Sequence, residues 1–260
     1  MLITSPANAA YATLYKLPLA HNPMFEAYTA SFGFASSIIF FSSLHKFVKI
    51  DPLVHRLDKL PVNPVNTFEW LGSRGVKPFF DCYVPLVVYL LCVFLFHSFV
   101  TKPPLPLPSD TLTMIRFLTE LVSGVILYDF IFSFVHKALH SRNTPQFIRR
   151  LHVRHHQRRP NQTSLLPIQT VQHGFVDGAL QVLTNVFVQR LPIFFGLSKH
   201  PLSRIAHNLL VTFLLVESHS GYSGFKFLSH NFLPGILGGS PQHHNHHILG
   251  EKHHHQFLKI

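Results

Sequence analysis

The sequence predicts an all-α protein: a polytopic membrane helix bundle of about four membrane-spanning or re-entrant helical units, with a cytosolic His-rich helical cap. Three observations carry this expectation. Long apolar runs recur along the 260 residues, basic residues are concentrated in alternate connectors, and many of the 21 histidines gather into clusters, three of them at helical spacing. Apolar residues make up 47% of the chain and charged residues 13%, about half the usual charged share of a soluble domain.

The spans come first. Crossing hydrocarbon takes roughly 20 apolar residues as a helix. Residues 28–47 form one such run, diluted by Ser and Thr, and residues 79–100 contain the nearly unbroken VPLVVYLLCVFLF. In 114–135, Arg116 and Glu120 are confined to the first turns. Residues 174–197 and 202–216 are interrupted or short, and read as a bent or re-entrant pair whose polar backbone is covered by protein. Prolines cluster in the connectors, four of them within 102–108, which supports these boundaries.

Charge sets the orientation. With 22 Lys+Arg against 11 Asp+Glu the formal net charge is +11, which suits nucleic acid or an anionic membrane surface, and the apolar runs decide for the membrane. The connector 48–78 carries Lys49, Arg56, Lys59, Arg74 and Lys77, whereas 101–113 has only Lys102 and Asp110. After the third run come Lys137, Arg142, Arg149, Arg150, Arg154, Arg158 and Arg159, with no acid before Asp177. Three successive crossings put both basic connectors on one side. The positive-inside rule makes that side cytosolic and the N-terminus lumenal or external. The sequon Asn161-Gln-Thr163 then lies on the cytosolic side and is expected to be unglycosylated. Cys82 and Cys92 give no disulfide framework, and MLITSPANAAYATLYK does not have the form of a cleaved signal peptide.

The histidines carry the chemistry. They form His136-Lys-Ala-Leu-His140 at the exit of the third run, then His152-Val-Arg-His155-His156, and later His243-His244-Asn-His246-His247. Residues i and i+3 or i+4 share one helix face, so HxxxH and HxxHH boxes turn several imidazoles toward one place. Imidazole suits Fe, Zn and Cu, and the scarcity of carboxylates argues against Mg or Ca. Eight clustered ligands exceed the needs of one ion, so two metals are the natural reading. None of the five glutamates (Glu26, Glu69, Glu120, Glu217, Glu251) has His three residues on, which excludes a ferritin-like carboxylate site.

HKALH, HVRHH, ESHSGY and GGSPQHHNHH together resemble the fatty acid hydroxylase superfamily, over about residue 127 to the C-terminus. This superfamily includes sterol desaturases, C4-methylsterol oxidases and cholesterol 25-hydroxylases. The run 204–222 is most similar to the sterol 25-hydroxylase and C4-oxidase branch. The resemblance implies one integrated domain, in which 1–113 are N-terminal membrane helices and connectors and 114–260 the catalytic region. It implies two irons held by His136, His140, His152, His155, His156, His243, His246 and His247, with His219 as ninth ligand and His207 as a weaker tenth; zinc is a further possible occupant of purified samples. It also implies O2 as co-substrate, a membrane lipid or sterol as substrate, the endoplasmic reticulum membrane as location, and electrons from a cytochrome b5-type carrier with its reductase. The sequence departs from the family in two places. His244 stands where the last box commonly has an acid, and the chain stops at Ile260 where family members continue into an aromatic-rich ending. The second departure reads either as truncation or as a member without that ending.

Metal-bound imidazoles usually donate their other N–H to a carboxylate or carbonyl. Asp129, two turns before His136, and Glu217, two residues before His219, are the expected partners. Asp177, Gln181, Asn185 and Gln189 form a polar stripe that faces either the metal cavity or, the preferred reading, water on the wet side of an interfacial helix. His253, His254 and His255 read as a solvated tail, and His97 as a packed residue. The basic surface at 149–159 anchors to anionic lipid or docks an acidic electron donor. No glycine-rich dinucleotide fingerprint occurs, so the electrons come from elsewhere. Desaturation or epoxidation at the same site remains open, as do a metal transporter and a structural zinc protein.

Overall fold

The computed structural model describes residues 5–59, 112–156, 165–171, 175–249 and 254–259, together with Val87, Leu91 and Leu95. The rest of the 79–100 run, His97, His253 and the sequon at Asn161 lie outside the described residues. Among the described residues the protein is helical, with no strand and two isolated bridges, Arg56–Tyr222 and Leu237–Leu258.

Seven helices set the frame. They are α1 (Pro6–Tyr15), α2 (Phe25–Phe47), α3 (Met114–His140), α4 (Gln146–His156), α5 (Phe175–Arg190), α6 (Pro201–Ser218) and α7 (Gly239–Leu249). Their ends follow local chemistry. Glu26 lies in the first turn of α2 and His45 and Lys46 in its last, each matching the helix dipole. Thr113 caps α3, its hydroxyl accepting from the Arg116 amide at 3.1 Å. Helix α3 runs past the expected end at 135 to His140, and so carries the whole HKALH box on its last turns.

Two of these helices, α2 and α3, are long and apolar enough to cross a membrane. On α3, Ile115, Leu118, Val122, Ile126, Phe130 and Phe134 are exposed, three or four residues apart, as one stripe. The opposite face buries Gly124, Val125, Tyr128, Asp129, Phe132, Ser133 and His136. A continuous apolar stripe of this length is suited to lipid and not to water, and the chain is a membrane protein. The expected pair at 174–197 and 202–216 forms two helices, α5 and α6, joined by a 3-10 turn at Leu191–Phe195 and a left-handed Gly196 (φ 71°).

Helix α6 is the centre of the bundle, packed against α2, α3 and α7 and hydrogen-bonded to α5 through Asn208. Helix α2 approaches it most closely at Gly33, where an added Cβ would stand 2.3 Å from Thr212 Oγ1. Small residues at such a crossing let two backbones meet, which is how helices pack in lipid. One apolar core joins Phe41 of α2, Tyr128 and Phe132 of α3, and Val211, Leu215 and Val216 of α6. Phe257 enters the same core from the C-terminal segment. That segment is clasped by backbone bonds from Gly238 to Phe257 (2.7 Å) and from Lys259 to Ile236 (2.8 Å).

Candidate metal centre

The last turns of α3 deliver His136 and His140, and α4, after a short turn, adds His152 and His156 from one face. Helix α7 presents His243, His246 and His247, and His219 stands at the C-terminal cap of α6. His155 lies on α4 with its side chain outside the described residues. Thus the three boxes and His219, far apart in sequence, meet at one end of the bundle.

Their ring nitrogens converge in two adjoining groups, His136, His140, His156 and His246 in one and His219, His243 and His247 in the other. Ligand atoms within each group lie within 4.8 Å of one another. His136 Nε2 is 3.0 Å from His246 Nε2, and His219 Nε2 is 3.0 Å from His243 Nε2, which is itself 3.1 Å from His247 Nε2. His152 Nε2 joins the first group, 3.0 Å from His140 Nε2 and 3.1 Å from His156 Nε2. The rings of His156 and His247 lie 4.4 Å apart between centroids, so the two groups touch.

Three of these imidazoles are pinned from behind. His152 Nδ1 donates to Asp177 Oδ1 at 3.0 Å, His136 Nδ1 to the His254 carbonyl at 3.0 Å, and His219 Nδ1 to the Leu215 carbonyl at 2.9 Å. Each bond fixes the tautomer and leaves Nε2 as a lone pair aimed at the centre. Burial, followed by the neighbouring His152, His246, His140 and His219, pushes His156 down to about 2. It is therefore neutral, the form that binds metal.

The donor set fits metal ions. With a metal–imidazole bond of ~2.1 Å, two ligands at a right angle stand ~3.0 Å apart and two at the tetrahedral angle ~3.4 Å. The observed Nε2 spacings of 3.0 to 3.1 Å match the right angle, a geometry with more than four positions. Neither group includes a carboxylate. All-imidazole coordination suits iron, zinc or copper.

Other expected residues stand elsewhere. Asp129 does not reach His136: it accepts from His255 Nδ1 (2.7 Å) and from the Phe257 amide (2.6 Å). Its influence on His136 passes through the tail, whose His254 carbonyl holds that ring. Glu217 does not reach His219 either, because its side chain leaves α6 toward Ser229, accepting from that residue's amide (2.8 Å) and hydroxyl (2.7 Å). His207 lies outside both groups, more than three turns before His219, with Nε2 3.0 Å from Asn185 Oδ1. The polar stripe on α5 faces inward and not toward an interface: Asp177 meets His152, and Asn185 and Gln189 donate to Asn208 Oδ1 at 2.9 and 2.6 Å.

The tail, expected to be solvated, is drawn inward at His254 and His255, both half-buried. The His254 ring lies 5.2 Å from that of His140 and 5.6 Å from that of His246, at the edge of the first group. The signal was Phe257, an aromatic residue in a polar tail, which stacks 5.7 Å from Tyr128 and draws His254 and His255 inward.

Known proteins resemble this chain over more than half of its length. It is 28% identical over 163 residues to a cholesterol 25-hydroxylase-like protein of Danio rerio, covering 62% of this chain and 59% of that protein. It is 28% identical over 162 residues to human cholesterol 25-hydroxylase, covering 62% and 54%. It is 30% identical over 178 residues to a very-long-chain aldehyde decarbonylase of Oryza sativa subsp. indica, covering 64% and 59%. The chain thus spans little more than half the length of these relatives. No family model matches the chain. No solved structure matches it. In its histidine boxes, in the imidazole centre they build and in these relatives, the chain resembles the fatty acid hydroxylase superfamily.

Proposed function

We propose that the chain is an O2-dependent, non-haem di-iron oxidoreductase that hydroxylates a membrane lipid, and that the lipid is a sterol. The observation that carries this reading is the convergence of Nε2 atoms at 3.0 to 3.1 Å in two touching groups. His136, His140, His152, His156 and His246 would hold one iron and His219, His243 and His247 the other, with His155 added from the sequence pattern. Two irons, when bound, supply the activation of O2 that hydroxylation of an unactivated C–H bond requires, with two electrons and two protons from outside. The relatives named as cholesterol 25-hydroxylases support a sterol substrate.

The chain's own residues do the rest. Asp177 and the carbonyls of His254 and Leu215 orient three rings, so the ligand nitrogens are held in place before any metal arrives. His136, His152, His219, His243 and His246 are all buried, which keeps water from the reacting centre. The lipid-facing stripes of α2 and α3 keep the site within reach of substrates dissolved in the bilayer. Arg142, just before α4, and Arg149 and Arg150 on it give a basic surface for an acidic carrier of the cytochrome b5 type, on the cytosolic side of the endoplasmic reticulum membrane.

Lipid profiling tests this. Cells expressing the full chain are grown under 18O2 and their sterols, fatty acids and aldehydes compared with cells expressing His247→Ala. A sterol carrying one 18O atom only with the intact chain is the expected result. No labelled lipid of any class from an iron-loaded, membrane-inserted chain would overturn the reading, and altered zinc uptake in its place would favour a transporter.

A further inference from the structure

A second buried polar centre lies at the other end of the same helices. Lys199, just before α6, is 6% exposed, and His207 on α6 is 0% exposed. Both reach the space over Gly124 of α3, where an added Cβ would stand 2.5 Å from Lys199 Nζ and 2.8 Å from His207 Nδ1. Neither atom has a hydrogen-bond partner among the described residues. The nearby acids are engaged elsewhere: Glu120 accepts from Arg116 Nε (2.8 Å) and the His200 amide (2.9 Å), and Glu26 from Arg204 (2.8 Å). Burial is the main cause that pushes Lys199 down to about 8, Glu120 acting in the opposite sense. An unpartnered buried ammonium beside an unpartnered buried imidazole nitrogen is costly, and such a pair points to a ligand.

The hydrogen-bond roles are fixed by the neighbours. Asn185 gives its amide N–H to Asn208 Oδ1 (2.9 Å), which Gln189 also engages (2.6 Å), so Asn185 turns Oδ1 to His207. His207 Nε2 therefore donates and Nδ1 is an acceptor. A donor, Lys199, and an acceptor, His207 Nδ1, share one spot. A hydroxyl satisfies both, its oxygen accepting from the ammonium and its hydrogen going to Nδ1. A carboxylate or phosphate would satisfy the ammonium alone and press a lone pair on Nδ1.

The position relative to the imidazole centre is set twice over. Twelve residues separate Gly124 from His136 on α3, and twelve separate His207 from His219 on α6, a rise of ~18 Å in each case. Helix α5 joins the same two ends with its inward stripe, Asp177 at His152 and Asn185 at His207.

We propose that Lys199 and His207 bind the hydroxyl end of the lipid substrate, whose other end reaches the metal centre. The substrate class is then a long apolar molecule with a terminal hydroxyl and a reacting carbon ~18 Å away, of which a sterol oxidised on its side chain is one case. The role of the far end rests on the hydroxylase reading; the hydroxyl site does not.

Direct binding tests it without turnover. The full chain, purified in detergent with its metal, is titrated with cholesterol and with 5-cholestene, which lacks the hydroxyl, and with 1-octadecanol and octadecane. Each hydroxylated probe is expected to bind at least tenfold more tightly than its counterpart. Lys199→Met and His207→Phe should each abolish that preference at unchanged metal content. Lys199→Met should also melt at or above the unsubstituted chain's temperature when lipid-free, since a costly charge is removed, whereas a structural lysine would lower it. Gly124→Ala, which crowds both atoms, gives an independent variant and should weaken hydroxyl binding. Equal binding of the paired probes, or a preference that survives the substitutions, would overturn the proposal. A hydroxyl preference without any lipid oxidation supports this site and counts against the hydroxylase reading alone; oxidation without the preference does the reverse.

Discussion

Asp177 of α5 and His152 of α4 are joined at 3.0 Å, both almost fully buried, and this contact decides which nitrogen His152 turns to the centre. The carboxylate holds the proton on Nδ1 and leaves the Nε2 lone pair to a metal. Asp177→Ala should lower metal affinity about 10- to 100-fold, while Asp177→Asn, which keeps an acceptor, should lose much less. Chelator competition on the purified chain measures it, and equal affinity in all three proteins would contradict this role.

Asp129 ties the tail to α3 through His255 and the Phe257 amide. Asp129→Ala leaves two donors unpaired beside the core and should cost about 2–3 kcal/mol. Thermal melting checks the loss. Metal bound at the His136 group should fall with it, since the His254 carbonyl that holds His136 belongs to the released segment.

Gly33→Val places a side chain against Thr212 at the α2–α6 crossing. Overpacking there should cost about 1–3 kcal/mol, and Thr212→Ala in the same chain should recover part of it. A double variant no more stable than Gly33→Val would place the close approach elsewhere.

Acid should destabilise the metal-free protein through His156. Its value falls from an ordinary 6.5 to about 2 on folding, mainly through burial. Above the ordinary value both folded and unfolded forms are neutral there, and pH has no effect through this ring. As pH falls below that value the unfolded chain takes up a proton that the folded one refuses, so stability is lost progressively toward about 2. The melting temperature should drop between pH 7 and 5, with a smaller slope in His156→Leu.

Much of this architecture was legible because it is periodic. The HxxxH and HxxHH spacings place rings on one helix face, and α3 carries its box where the apolar run ends. The meeting of His219 with His243 was not written in any local spacing, and only the resemblance pointed to it. Asp129 and Glu217 show why sequence distance misleads for polar partners. Each lies near a metal-facing histidine in the chain, yet each serves a segment that returns from far along it, at Phe257 and Ser229. The stripe on α5 was visible, but not its direction. A polar face turns toward water or toward buried partners according to tertiary packing, and here Asn208 and His152 receive it.

X-ray absorption at the iron edge, on the full chain reconstituted anaerobically with ferrous iron and counted for metal, tests the central claim most directly. The account predicts two irons per chain with a nitrogen-dominated first shell at ~2.1 Å. A single tightly held ion, or a shell dominated by carboxylate oxygen or sulfur, would contradict it.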